Sequence, residues 1–317
     1  MSSCTVAATR LQRSRLSTGL SLALAVVSAL VTDSAQAHFV SEPAATPRSI
    51  RRHAVPFIPS RPAGIIQVAN CNDSGPGSLR DAVASTVDGD EVDLSHLACS
   101  TISLTTGYLE IDANISLQGP GADQLTITTG GDFSVIEHFG SGVLDIGDLT
   151  IANGKYVSAQ FPYGGCIYST GSVSILASVV SGCTVNNTTS SNNVSKGGAV
   201  FALGDVTLFS STITGSAAIS GANVNAEGGG IYARGRVASK YSTVSNNSAA
   251  ATVAGFNSYA GGVWAHGDAT ILYSTISGNM AQSDAGLVLV GANATSPMTI
   301  SESTISEIGR ASWRERV

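Results

Sequence analysis

From residue 164 to residue 306 the apolar positions do not follow a helical period; they recur once per block, in register. Set one block above the next, the chain yields the columns Ile167/Val200/Ile231/Val263, Val173/Val206/Val237/Ala269, Ile175/Leu208/Ser239/Ile271/Ile300 and Val180/Ile213/Val244/Ile276/Ile305. All members but Ser239 are apolar. Within a block, β-branched residues alternate with Ser and Thr, as in Ser211-Thr212-Ile213-Thr214 and Ser274-Thr275-Ile276-Ser277, which is the pattern of short half-buried strands. Each block opens on a glycine word: Gly164-Gly165-Cys166-Ile167-Tyr168, Gly197-Gly198-Ala199-Val200-Phe201, Gly228-Gly229-Gly230-Ile231-Tyr232 and Ala260-Gly261-Gly262-Val263-Trp264. Successive words lie 33, 31 and 32 residues apart. A step so regular predicts coils stacked about 4.8 Å apart, with the apolar columns turned inward to form one shared core.

A further column, Gly171/Gly204/Gly235/Gly267, is expected to supply turns at positive φ. From Gly267 to Gly291 the step shortens to 24 residues, so that length is taken as the bare coil and the surplus elsewhere as a loop before each glycine word. The Ala/Ser/Asn/Gly-rich stretch 248–260 reads as such a loop. Upstream, 65–68 and several short β-branched words between 101 and 154 predict less regular first coils. In Ser78-Leu79-Arg80-Asp81-Ala82-Val83, Ser78 stands at an N-cap with Asp81 three residues on, which predicts a short helix over 79–85 that covers the open end of the stack. Asp88, Asp90, Glu91 and Asp93 cluster around Gly89 without the ligand order of a calcium loop, so they are read as a turn into a strand.

The Gly-Gly-x-Ile-Tyr words, Ser274-Thr275-Ile276-Ser277-Gly278-Asn279 and the Gly-Ser-Leu-Arg-x-Ala word at 77–82 resemble those of bacterial right-handed parallel β-helix proteins. The family is that of the pectin-lyase-like fold and polymorphic-outer-membrane-protein-like repeats. The resemblance covers residues 65–306 and implies an all-β, right-handed parallel β-helix with a short N-terminal capping helix. It leaves activity open, because that fold carries lyases, hydrolases, adhesins and inert stalks.

Residues 1–37 are expected to be a secretory signal peptide: Arg10, Arg13 and Arg15 precede an apolar run, and Ala35-Gln36-Ala37 offers a cleavage word. No membrane span is expected once it is removed. Residues 38–64, with five prolines and four arginines, read as a linker. Residues 307–317, with three arginines and Trp313, do not continue the repeat and read as a non-repeat tail. Of the remaining cysteines, Cys71, Cys99, Cys166 and Cys183 form an even set that permits three pairings, and Cys71 with Cys99 and Cys166 with Cys183 is the favoured one.

Only 12% of residues are charged. Over 65–306 six Lys/Arg face eighteen Asp/Glu, a net of −12, which disfavours nucleic acid and anionic lipid as partners. One constellation could carry chemistry. Asp205, Arg236 and Asp268 share a column just before an inward residue and should stack outward as acid, base, acid; Arg234 and His266 form a second column nearby. A lyase of the resembled fold holds calcium with carboxylates and takes a proton with Arg or Lys, so this is where such a site would lie. With one base and two carboxylates, an alternating surface charge ladder explains the column more simply, and no cofactor or metal is assigned; calcium enters only in the lyase reading. Asn247 and Asn279, in column with Ser216 and Cys183, are read as a structural corner ladder. The expectation is a secreted or cell-surface, non-catalytic β-helix that is adhesin-like or touches polysaccharide or surface glycans. The alternatives are a polysaccharide lyase or hydrolase and a purely structural stalk.

Overall fold

The computed structural model of the chain describes residues 63–188, 193–221, 224–282, 288–290, 298–306 and 309–310. The leader over 1–37, nearly all of the 38–64 linker, Gly291 and most of the 307–317 tail lie outside the described residues. What is described is an all-β parallel solenoid. Its strands line up coil on coil in sheets of nine, eight, seven, six and three strands. The predicted columns are the registers of these ladders: Ile167 pairs with Val200, Val200 with Ile231 and Ile231 with Val263. Val180, Ile213, Val244, Ile276 and Ile305 follow one another in the same way. Val200, Ile231 and Val263 are all completely buried, in a core that runs from Val68 to Ile276. Ser239, the polar member of its column, is buried too and donates to Ser274 Oγ at 3.1 Å.

The corners explain the serines of the strand words. Asp148, Ala177, Ser210, Tyr241, Tyr273 and Glu302 take up one left-handed position in successive coils. From Ala177 on, the residue after each is a serine, Ser178 to Ser303, that turns its hydroxyl into the corner. There Ser178, Ser211, Ser242 and Ser274 each donate a backbone N–H to the Oγ of the next serine at 3.1–3.2 Å, and each hydroxyl donates to the carbonyl two residues back, as in Ser211 Oγ to Phe209 O at 2.9 Å. A tight corner would leave those N–H and C=O groups unpaired, and a short hydroxyl satisfies both. The next corner works the same way with larger side chains. Cys183 N–H donates to Ser216 Oγ, Ser216 N–H to Asn247 Oδ1, and Asn247 N–H to Asn279 Oδ1, at 3.0–3.2 Å. This is the corner ladder expected from sequence.

Two expectations need correction. Gly171, Gly204, Gly235 and Gly267 are not at positive φ. They are glycine because coils touch there: a Cβ on Gly204, Gly235 or Gly267 would lie 2.7–2.9 Å from backbone atoms of the glycine one coil earlier. The positive φ belongs instead to the first residue of each glycine word, Gly164, Gly197, Gly228 and Ala260, at 66°, 66°, 64° and 50°. The stretch 248–260 is not simply a loop either. Ser248–Ala251 is a strand of the six-stranded sheet and Ser258–Tyr259 one of the three-stranded sheet. Small residues suit it, because Ala249 packs with Ala226 and Ala281 in a buried seam. The ladder also runs past the last repeat word: Gly309–Arg310 pairs with Met280–Ala281.

The helix Leu79–Ala84 forms as expected, with Ser78 Oγ accepting from Asp81 N–H and Asp81 accepting from Gly77 N–H at 2.8 Å. Leu79, Ala82 and Val83 are buried against the core. Both disulfides join the favoured pairs, Cys71 with Cys99 and Cys166 with Cys183, the second linking two corners through the interior. The carboxylates around Gly89 are occupied by the turn itself: Asp90 accepts from Gly64 N–H and Val87 N–H, and Asp88 from Asn114 N–H.

His138 lies fully buried in an inward column, its Nδ1 2.8 Å from Ser169 Oγ. Burial lowers its pKa below the ordinary imidazole value, against the opposing pull of the Ala113 backbone and of Asp88 and Asp112. The unfolded chain therefore takes up a proton first as pH falls, so the stability tied to the neutral ring is complete above about pH 6.5 and declines below it. The urea midpoint should fall between pH 7.5 and pH 5, and the slope should flatten in His138→Leu. An unchanged slope would mean that His138 is not the group responsible.

Candidate functional site

The outward side of the nine-stranded sheet carries the predicted constellation, in three parallel columns. The first is Ser172/Asp205/Arg236/Asp268. Asp205 N–H donates to Ser172 Oγ at 3.0 Å, Arg236 N–H donates to Asp205 Oδ1 at 2.7 Å, and the Arg236 guanidinium meets Asp205 Oδ2 at 3.3 Å. Asp205 and Arg236 thus stack as expected. Asp268 joins the column but, among the described residues, no ion pair. The pair is solvent-exposed, so it is worth less than about 1 kcal/mol to the fold. The middle column, Ser174/Thr207/Ala238/Thr270/Thr299, presents hydroxyls and a methyl.

The third column is different. Leu176, Phe209, Lys240 and Leu272 succeed one another along it, and Tyr241 and Tyr273 follow at the corner. Leu176 is 45% exposed, Phe209 41%, Tyr241 51% and Tyr273 51%. The rings are ordered against each other, Phe209 edge-on to Tyr241 at 5.6 Å and Tyr241 stacked on Tyr273 at 5.2 Å. Lys240 Nζ lies 5.0 Å from the Tyr241 ring centre and 5.9 Å from that of Phe209. The left-handed backbone at Tyr241 and Tyr273 is what swings both rings out of the corner. Sequence reasoning missed this edge because its members alternate between aliphatic, aromatic and basic; only register and exposure unite them.

Arg234 and His266 do not converge on Arg236. They follow the strands Ile231–Ala233 and Val263–Ala265 of the seven-stranded sheet, whose outward side is covered. There Tyr168, Phe201, Tyr232 and Trp264 stack coil on coil, 5.3–6.0 Å apart, beneath the three-stranded sheet that contains Lys196 and Glu227. Lys196, 6% exposed, donates to Tyr232 Oη at 3.2 Å and faces Glu227 Oε2 at 3.7 Å, while Tyr232 Oη is 2.6 Å from His266 Nε2. This connected chain pins the outer layer to the solenoid. Its visible signal is the residue before each glycine word, Tyr163, Lys196, Glu227 and Tyr259, which sequence reasoning passed over.

Arg80, in the helix Leu79–Ala84, stands apart from the charge column of the nine-stranded sheet and is held by its own partners. It bonds Asp73 Oδ1 and the carbonyls of Gly107 and Tyr108 at 2.6–2.8 Å. Burial opposes ionisation of Asp73, but the bonds from Arg80, Thr105 and Thr106 outweigh it and hold the carboxyl well below the usual carboxylate range. That knot ties the helix to the loop before Leu109–Ile111 and is structural.

Charge divides the body unevenly. Residues 65–148 hold thirteen carboxylates against Arg80 alone, a net of −12, while residues 149–306 hold five of each sign. The exposed aromatic edge therefore sits on coils with no net charge. Among the described residues no three His, Cys, Asp or Glu side chains gather as a metal would require, and no helix is long and apolar enough to cross a membrane. Comparison with family models, curated proteins and solved structures finds no match. The pectin-lyase-like resemblance therefore rests on the sequence words alone, whereas the parallel solenoid rests on the strand pairing.

Proposed function

We propose that this chain is an exported, non-catalytic β-solenoid of the cell surface or extracellular space, adhesin-like, which contacts carbohydrate through the outward side of its nine-stranded sheet. The observation that carries the reading is the edge Leu176/Phe209/Tyr241/Tyr273, three ordered rings and a leucine left in water side by side. Soluble proteins rarely leave contiguous apolar surface uncovered unless something binds it, and flat rings beside hydroxyls match the alternating C–H and O–H faces of a sugar. The hydroxyl-bearing middle column supports it from the other side. A lyase would need Arg236 to meet several carboxylates in a cleft, and it meets Asp205.

Screening the purified protein on a glycan panel should return a carbohydrate whose binding weakens about tenfold on Tyr241→Ala or Tyr273→Ala, the worth of one stacked ring. Neither change touches the core. Calcium-dependent release of unsaturated uronide, lost on Arg236→Ala, would instead make the chain a lyase. No glycan binding at all would leave the stalk.

A further inference from the structure

We infer that the Arg/Pro-rich segment 47–62, which lies outside the described residues, docks on the outward side of the first coils of the nine-stranded sheet. This goes beyond the carbohydrate reading and concerns a different stretch of surface. The docking face continues the middle column toward the N-terminus. From Ser174 that column passes to Asp145, Ser116, Glu91 and Ile65, so hydroxyls give way to carboxylates and an aliphatic side chain. Ile65 is 67% exposed, and Val143, two residues before Asp145 on the same side of its strand, is 41% exposed. Among the described residues Glu91 and Asp145 form no ion pair. The strand Ile65–Gln67 is the outermost of its sheet and, among the described residues, pairs on one side only, with Glu91–Asp93.

The segment that leads into this strand has the complementary composition. Between Pro47 and Pro62 stand Arg48, Arg51, Arg52 and Arg61 with no carboxylate, and beside them Ile50, Val55, Phe57 and Ile58. Its arginines answer Glu91 and Asp145, and its apolar side chains cover Ile65 and Val143. The chain enters in the right place, because Gly64 O accepts from Glu91 N–H at 3.0 Å. From Glu91 to Asp145 is two inter-strand steps, about 10 Å, a span covered by about three residues of proline-rich backbone at about 3.1 Å each. An exposed ion pair is weak by itself, but a tethered segment pays no second association cost and can gather several of them. The thirteen carboxylates of residues 65–148, opposed by Arg80 alone, hold the segment over these coils rather than over the neutral ones that follow.

Trypsin reads the contact, since cleavage after Arg51 and Arg52 requires the segment to leave the surface. In the whole protein at low salt that cleavage, followed by mass spectrometry, should run about tenfold slower than in a synthetic peptide of residues 47–62. Glu91→Gln/Asp145→Asn should bring it to the peptide rate, and so should salt at about 0.5 M. Ile65→Ser should also speed it. Glu110→Gln/Asp123→Asn removes the same charge from other sides of the first coils and should leave the rate unchanged. All these side chains lie at the surface, so circular dichroism should show the same fold in every variant. Cleavage of the unaltered protein at the peptide rate would overturn the inference. Equal acceleration in both double variants would replace the docking face by a diffuse acidic field, and slowing that grows with protein concentration would assign the segment to a second copy; either result overturns it. None of these outcomes depends on Tyr241 or Tyr273, so the carbohydrate reading stands or falls separately.

Discussion

Ile231→Ala should destabilise the solenoid by about 3 kcal/mol, within the 2–5 kcal/mol range for emptying a packed aliphatic site. Ile231 is completely buried, pairs with Val200 below and Val263 above, and has no freedom to be replaced by a shift of one coil, since both neighbours are held in the same ladder. In a stacked repeat each coil is stabilised through its two neighbours, so the cavity weakens two interfaces at once. Thr207→Ala, on the outward side of the nine-stranded sheet, should stay within about 0.5 kcal/mol. Urea unfolding followed by circular dichroism measures both. Equal costs at the two positions would mean that the columns do not form a continuous core.

The second large effect should follow Lys196→Met. The side chain has a suitable volume, but Glu227 and Tyr232 Oη lose their cation in a layer where Lys196 is 6% exposed. Removing one partner of a buried pair costs about 3–5 kcal/mol, and the partial water access of Glu227 puts the expectation at the lower end. The double variant Lys196→Met/Glu227→Gln should recover much of the loss, because no uncompensated charge remains. The damage should also be local. Amides of Ser195–Lys196 and Ala226–Glu227 should lose hydrogen-exchange protection before those of the nine-stranded sheet. A single variant without cost, or a double variant worse than the single, would remove the chain Glu227–Lys196–Tyr232–His266 as the fastening of the outer layer.

Much of the fold was legible because a stacked repeat writes its contacts into the chain at constant spacing. Ile213 meets Val244 for the same reason that the words containing them look alike, so alignment of the words is alignment of the coils. The corner asparagines followed from that register, whereas the disulfides were the favoured one of three pairings that four cysteines permit. The glycine column at Gly204 was misjudged because a turn at positive φ and a backbone contact both demand glycine, and composition does not tell them apart. Residues 248–260 were misjudged because alanine and serine look like loop in isolation, yet form strand when a neighbouring ladder supplies partners. The charge column was half legible: Asp205 and Arg236 stack, whereas Arg234 and His266 belong to the covered aromatic side.

By itself the amino-acid order determined the repeat, the inward columns and the register of one coil on the next, since each is a relation between residues a fixed distance apart along the chain. Which outward surfaces meet water was decided only in three dimensions. Tyr232 and Tyr241 are both tyrosines on outward positions, but a folded-back layer buries the first and a left-handed corner exposes the second. Burial on the outside of a coil depends on what other segments return to cover it, and no local pattern records that.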